Sequence, residues 1–362
     1  MMDFDTLYES AGAIHLHSSY SDGALPIPEI AAIAQGKGLD FLMFSDHNTL
    51  APKREGLDGW HDRVLVIIGY EINDRHDQNH YLAFRIDKEV ETGSDAGTYV
   101  SRVKQMGGFG IIAHPAEKRN FSDAYPPYPW TEWDVDGFDG IEIWNQLSEW
   151  MEGVTRSNIA WRIWHPLRSI RFPVWETLER WDRFNRKRRV VGVGGIDVHA
   201  FQYKVFGFIP VEIYPYKVQF KSIRTHILTR SPISAEKGIS SKEAEEAIFS
   251  ALSEGCCFVS NHSIGDARGF RFSAECGGRR FPMGSRLSTK ETATFHVTAP
   301  SEGTIRLLCD GREIMTVKGR ALTFQSADEG VYRVEIIKKK RGWIYSNPIV
   351  IMKSTLDGTE KK

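Results

Sequence analysis

Seven short apolar runs, most of them followed at once by a histidine or a carboxylate, constrain what this chain can fold into. They are AGAIHLH, LDFLMFSDH, VLVIIGYE, HYLAFRI, GFGIIAHP, DGIEIWN and RVVGVGGIDVH, spread over residues 11–199. Apolar runs of this length bounded by glycine and polar residues read as buried strands, although periodicity alone does not exclude buried helix. Helical segments lie between several of them. PIPEIAAIAQGKG (26–38) opens in prolines and closes in glycines, and DAGTYVSRVKQMGG (95–108) closes the same way, as helix start and stop signals do. Strands alternating with helices predict βα units and a largely parallel sheet. Polar residues recurring just past the strand ends predict a barrel with its chemistry on that rim.

In AIHLHSSYSDG (13–23), His15 and His17 occupy alternate positions with Asp22 close behind. Alternate residues of a strand share a face, so both imidazoles point one way and Leu16 the other. HYLAFRI differs from the other runs, because His80 comes before it. The connection from Glu71 to His80 is also too short for a crossover helix between parallel strands. An antiparallel hairpin accounts for both features and puts Glu71 and His80 on one rim. The collected rim residues are His15, His17, Asp22, Asp46, His47, Glu71, His80, His114, Asp197 and His199, which hold six of the twelve histidines. Imidazole with carboxylate suits zinc, manganese or iron and is common in hydrolytic metal clusters. Asp46 is assigned a supporting role, orienting His47 or a bound water.

Composition bounds the alternatives. With 362 residues the chain exceeds the usual size of one core, so a large domain plus a smaller one is expected. Its 46 basic and 47 acidic residues nearly cancel, so nothing asks for nucleic acid or an anionic membrane as partner. No apolar run is long enough to span a bilayer, and MMDFDTLYES lacks the basic and apolar regions of a signal peptide. Cys256, Cys257, Cys276 and Cys309 fit no zinc spacing and no disulfide framework. A reducing, cytoplasmic location is the simplest expectation. The vicinal pair reads as buried small hydrophobes.

The motifs HLHSSYSDG, FSDHNTL, the Glu of GYE, IIAHP and GGIDVHA, in that order over residues 11–202, resemble those of the PHP (polymerase and histidinol phosphatase) family of metallohydrolases. The resemblance implies a distorted seven-stranded (β/α) barrel holding up to three divalent metal ions. Carried over motif by motif, His15, His17, Glu71 and Asp197 would hold one ion. Glu71 would bridge to a second, shared with His80 and His114. A third would take Asp22, His47 and His199. His76 lies close enough in sequence to compete with His80. Such a trinuclear cluster implies hydrolysis by a metal-activated hydroxide.

Other motifs are weaker. GVGG before Asp197 lacks the G-x-G-x-x-G pattern, and close backbone approach beneath the metals explains it better. RFNRKRRV (183–190) reads as a solvated helix end. Lys118 and Arg119 leave the rim directly after His114-Pro115. They stand as candidate phosphate-binding residues against simple exposure. The Trp- and Tyr-rich insertion at about 120–187 reads as core, with a pocket wall or lid as the other possibility. SKEAEEAIFSALSEG (241–255) is a helix with serine at its start and glycine at its end.

From about 266 the texture changes to alternating strands, with Asp310-Gly311 as a hairpin signal. A small all-β sandwich-like domain is expected. With its closing SNPI, this order of domains resembles the PHP branch that includes carbamate-ester hydrolases. The expected organisation is α/β: a PHP barrel over 1–262, a β-sandwich over 263–353 and a disordered tail over 354–362. The expected function is a metal-dependent hydrolase, with two to three zinc, manganese or iron ions, that cleaves a small-molecule phosphoester. A carboxyl or carbamate ester is the alternative substrate. A non-catalytic, metal-stabilised binding module is the alternative from another class.

Overall fold

A computed structural model describes residues 7–353, apart from 92, 120, 122–125 and 206–208. The tail expected to be disordered, 354–362, lies outside the described residues. The chain is mixed α/β and rich in sheet. Its first nine strands are β1 (Tyr8–Leu16), β2 (Phe41–Phe44), β3 (Gly59–His61), β4 (Val64–Ile68), β5 (Tyr70–Ile72), β6 (Tyr81–Phe84), β7 (Phe109–Ile112), β8 (Gly140–Asn145) and β9 (Val191–Val198). Parallel pairing joins β1 to β2, β2 to β4, β7 to β8, β8 to β9 and β9 back to β1. Across the remaining gap, β5 continues β4 and pairs antiparallel with β6, which pairs antiparallel with β7. The ladder therefore closes on itself. The Glu71–His80 connection is the turn of the β5–β6 hairpin, with Ile72 opposite Tyr81.

Period-2 alternation divides the core into two layers. Leu42, Phe44, Val66 and Ile68 face outward and pack with Ile27, Ile30, Ala31 and Ala34 of α1 (Ile27–Gln35). Phe41, Met43, Leu65, Ile67, Leu82, Phe84, Ile111 and Val193 form the inner set. The helices α2 (Ala51–Arg54), α3 (Ala96–Gln105), α4 (Gln146–Glu152), α5 (Ile159–Trp164), α6 (Trp175–Lys187), α7 (Tyr216–Gln219) and α8 (Ser241–Glu254) follow. Asp95 caps α3 by accepting from the Thr98 N–H. Ser240 and Glu243 form a capping box on α8, and Gly255 ends it at φ 68°. Phe249 of α8 packs on Phe84 and Phe109. That contact plugs the end of the ring away from His114.

The insertion is divided between core and surface. Trp130, Trp144, Trp150 and Trp181 are buried, whereas Trp161, Trp164 and Trp175 are exposed. Its basic run ends α6 and ties it to the C-terminal part: Arg186 pairs with Asp310, and Arg189 donates to the Gly284 carbonyl. Cys256 and Cys257 are free thiols and buried.

A two-stranded antiparallel ribbon, β10 (Phe201–Val205) with β11 (Ile209–Ile213), stands apart from the main sheet. Beyond it come β12 (Ile223–Thr229) and β13 (Cys257–Asn261), then β14 (Arg271–Cys276), β15 (Arg279–Pro282), β16 (Arg286–Ser288), β17 (Ala293–Cys309), β18 (Arg312–Ser326), β19 (Gly330–Lys338), β20 (Arg341–Ser346) and β21 (Ile349–Met352). The segments TATFHVT and TIRLLC, separate strands by their sequence, are one strand here. A register shift between Thr298 and Gly303 absorbs the apparent turn and keeps the ladder with β18 intact. Asp310 and Gly311 both have positive φ, 54° and 78°, as a two-residue hairpin turn requires. No described helix is long and apolar enough to cross a membrane.

Candidate metal centre

Three of the rim residues sit where the backbone turns left-handed: His15 at φ 68°, His114 at φ 25° and Asp197 at φ 52°. Non-glycine residues pay for that conformation, and such strain clusters at functional sites. At His15 its effect is visible in the packing. Ala13 and Leu16 both belong to the helix-facing layer and Ile14 to the inner set. Strict alternation would therefore put His15 outside with Ala13. A bulge between Ile14 and Leu16 resets the register and turns His15 inward beside His17. The simple alternation argument gets the shared direction of the two rings right and misses the bulge that creates it.

The nine candidate ligands converge. Glu71 is fully enclosed, and its two oxygens face different partners. Oε2 lies 3.0 Å from His15 Nε2, 3.3 Å from His17 Nε2 and 3.4 Å from His47 Nδ1. Oε1 lies 2.7 Å from His80 Nδ1 and 3.3 Å from His114 Nε2. Asp197 Oδ1 stands 3.5 Å from His15 Nε2 and 3.4 Å from His17 Nε2. Asp22 Oδ2 lies 3.2 Å from His199 Nε2 and 3.8 Å from His47 Nε2. His17, Asp22, His47 and His199 bring ligand atoms within 4.8 Å of one another, as do His15, His17 and Glu71, then His15, His114 and Asp197, and finally His47, Glu71 and His80. His76 is exposed and accepts from Arg75, so His80 alone joins the cluster.

The donor set suits divalent cations. Both ring nitrogens of His17 and Nε2 of His80 are buried and without a hydrogen bond. Buried polar atoms are nearly always partnered, and a bound ion is the partner an imidazole lone pair can take here. Burial opposes charge on His17, yet Asp197 and Glu71 hold its pKa up at about 9. At His80, burial is likewise overcome by Glu71 and Asp77, which raise it to about 10. His47 moves down to about 4, through burial and the neighbouring His17 and His199 rings, against the pull of Glu71. Glu71 and Asp197 stay well below the usual carboxylate range despite burial, chiefly because His15 faces both. Carboxylates placed to attract a proton onto these imidazoles would attract a metal cation between the same atoms.

Sequence reasoning missed Glu142. Its Oε1 accepts from His15 Nδ1 at 2.8 Å, its Oε2 accepts from the His114 N–H at 2.8 Å, and Asn145 donates to it as well. The available signal was an acidic residue inside the apolar run DGIEIWN. Gly195 belongs to the same arrangement, since a Cβ there would lie 1.7 Å from Glu142 Oε1. The GVGG run thus makes room for a carboxylate. Among the described residues the Asp46 side chain makes no hydrogen bond to His47. It accepts from the Ser18 N–H and from the Ser18 and Ser21 hydroxyls, each at 2.7 Å, in the turn that carries Asp22.

A cavity of about 430 Å³ opens over the cluster, lined also by Asn48, Asn73, Asp77, Arg119, Tyr128, Leu147 and Phe201. Of the two basic candidates only Arg119 borders it. Arg119 pairs with Glu117 and lies over the Tyr128 ring, and its Nε has no hydrogen-bond partner among the described residues. Lys118 is turned away onto Glu176 at 2.9 Å. Tyr128 in turn stacks on His80, so the start of the insertion walls the site while most of its tryptophans do not.

No protein-family model matches the chain, and no curated protein matches it. Among solved structures it is similar to a two-domain protein from Bacteroides vulgatus containing a predicted PHP-like metal-dependent phosphoesterase. The identity is 15% over 96% of this chain and 97% of that one, with a TM-score of 0.46. It is also similar to an amidohydrolase from Chromobacterium violaceum with bound sulfate and no metal. There the identity is 13% over 57% of this chain and 92% of that one, with a TM-score of 0.33.

Proposed function

We propose that this chain is a PHP-type metal-dependent hydrolase that uses two to three divalent ions to cleave a small-molecule phosphoester. The observation that carries the reading is the division of Glu71. One oxygen faces His15, His17 and His47 and the other faces His80 and His114, as a carboxylate bridging two ions would be placed. On this reading His15, His17, Glu71 and Asp197 would hold one zinc, manganese or iron ion, Glu71, His80 and His114 a second, and Asp22, His47 and His199 a third. The closed ladder would then correspond to the distorted seven-stranded barrel of that family, with the β-sandwich following from about residue 263. Bound ions would supply an activated water and Lewis-acid polarisation of the substrate oxygen. Glu142 fixes the His15 ring through Nδ1, which turns Nε2 toward Glu71 and Asp197, where it would serve as a ligand atom. Arg119 holds a non-bridging phosphoryl oxygen by charge-assisted hydrogen bonding, and its guanidinium is positioned by Glu117 and the Tyr128 ring.

The test is a panel of phosphomonoesters, phosphodiesters and carboxyl or carbamate esters, assayed on protein loaded with manganese, iron or zinc. Turnover of a phosphoester with a chosen metal is the expected result. Turnover confined to neutral esters would overturn the substrate class, and loaded protein inert on all of them would favour a binding module. Arg119→Ala should lower kcat/KM for a phosphoester by roughly tenfold or more, and Lys118→Ala should leave it unchanged.

A further inference from the structure

A second cavity, of about 550 Å³, shares no residue with the metal centre. It lies between the end of α1, the turn after α5, the start of β12, the end of β13 and the start of β20. Its lining carries Lys37, Arg168, Lys221, Arg224, Arg341 and His262, and no carboxylate. A concave patch with this many cations and no acid is costly to assemble in a chain whose total charge is near zero. Internal pairing does not relieve it. Among the described residues Arg224, which is buried, donates only to the carbonyls of Phe220 and Lys37. Arg341 donates to those of Leu167 and Ile170. Asp40 and Asp266, the acids that act on Arg224, are paired with Arg268. Lys37, Arg168 and Lys221 have no carboxylate partner among the described residues.

His262 provides an independent sign. Its Nδ1 is buried without a hydrogen-bond partner, although its backbone N–H is satisfied by the Ser222 carbonyl. Burial and the neighbouring Arg224 push the imidazole down to about 4, so near neutral pH it offers one N–H donor and one acceptor without adding charge. Guanidinium, ammonium and imidazole N–H groups around one space match the several non-bridging oxygens of phosphate groups. The volume falls in the range of small-molecule sites.

We propose that this cavity is a binding site for a small molecule bearing two or more phosphate charges, separate from the metal centre. Arg168 and Lys221, both exposed on its rim, provide the steering charge. Arg224, Arg341 and His262 line its floor. The site works whether or not the metal cluster is a phosphoesterase, because no ligand is shared.

The test titrates inorganic pyrophosphate into the full-length protein and into Arg168→Glu with Lys221→Glu, in phosphate-free buffer at low salt. The wild type should show a binding event that the double variant weakens at least tenfold. Citrate should bind the wild type more weakly than pyrophosphate. Thermal melts establish that the exposed substitutions leave the fold intact, and Lys37→Glu provides a second variant with the same expected loss. Turnover of the best substrate of the metal centre should be unchanged in each. No binding to the wild type, or equal binding to wild type and variants, would overturn the proposal. Loss of turnover in parallel with pyrophosphate binding would overturn its separateness, and tighter binding of citrate would overturn the phosphate class.

Discussion

Glu71 is buried among five imidazoles, and each of its oxygens serves a different set of them. Glu71→Gln replaces one oxygen with an NH₂ group, which donates and has no lone pair for a cation. Elemental analysis of that variant should find at most one ion per chain, and hydrolysis should fall about a hundredfold or more. A fully loaded, active variant would refute the bridging role. Among the described residues the Glu142 carboxylate hydrogen-bonds only to His15, Asn145 and the His114 backbone N–H, so it acts through the ring it orients. Glu142→Gln should weaken metal binding by ~10–100-fold in a calorimetric titration, with the fold retained. Of these two carboxylates only Glu71 was legible in the sequence, because it ends an apolar run. Glu142 lies inside one, and nothing but its three-dimensional neighbours separates it from a chance polar residue.

At the scale of elements, the β5–β6 hairpin was readable because a short connection leaves no room for a crossover. The bulge at His15 was not, since it depends on how β1 meets β2 and β9 at once. The link from α4 to residues 170–172 makes a testable case of its own. Glu149 accepts from Trp144 Nε1 at 2.7 Å and from the Arg171 and Phe172 N–H groups. Burial, opposed by those hydrogen bonds, raises its pKa from 4.5 to about 7. A carboxyl raised in the folded state binds a proton there that the unfolded chain has already released. Its stabilising contribution is therefore full below about pH 4.5 and is lost as pH rises through about 7. The melting temperature of wild type relative to Glu149→Gln should be higher at pH 5 than at pH 8. A difference independent of pH would rule this out.

Across the whole molecule, the C-terminal sheet is not a loosely tethered appendage. β13 pairs with β12 on one side and with β20 on the other, so one ladder runs through the boundary expected near residue 263. A buried ion network makes a second link. Arg333, wholly enclosed, donates to Asp182 of α6 at 2.8 and 3.1 Å and to Glu335 at 2.6 Å. The two carboxylates hold the guanidinium firmly charged against its burial. Arg333→Met leaves Asp182 buried without its cation and Glu335 with Arg306 alone, and should cost about 3–5 kcal/mol in denaturant unfolding. A loss below 1 kcal/mol would mean that water reaches the pair. The sequence shows the change of texture from mixed α/β to alternating strands. It does not show that the change occurs within one continuous ladder.

What the sequence by itself determined is the alternation of strand and helix, and the histidines and carboxylates waiting at strand ends. Both are local, written in periodicity and in the residue that follows each apolar run. The tertiary structure alone decided which candidates meet. It put His80 and not His76 beside Glu71, put Arg119 and not Lys118 on the cavity wall, tied Asp46 to the Ser18–Ser21 turn, and brought Glu142 beneath His15 where Gly195 leaves space. Each of those choices depends on side chains tens of residues apart approaching within a few ångströms. Such an approach is fixed by closure of the ring and by the left-handed turns at His15, His114 and Asp197, which no local pattern encodes.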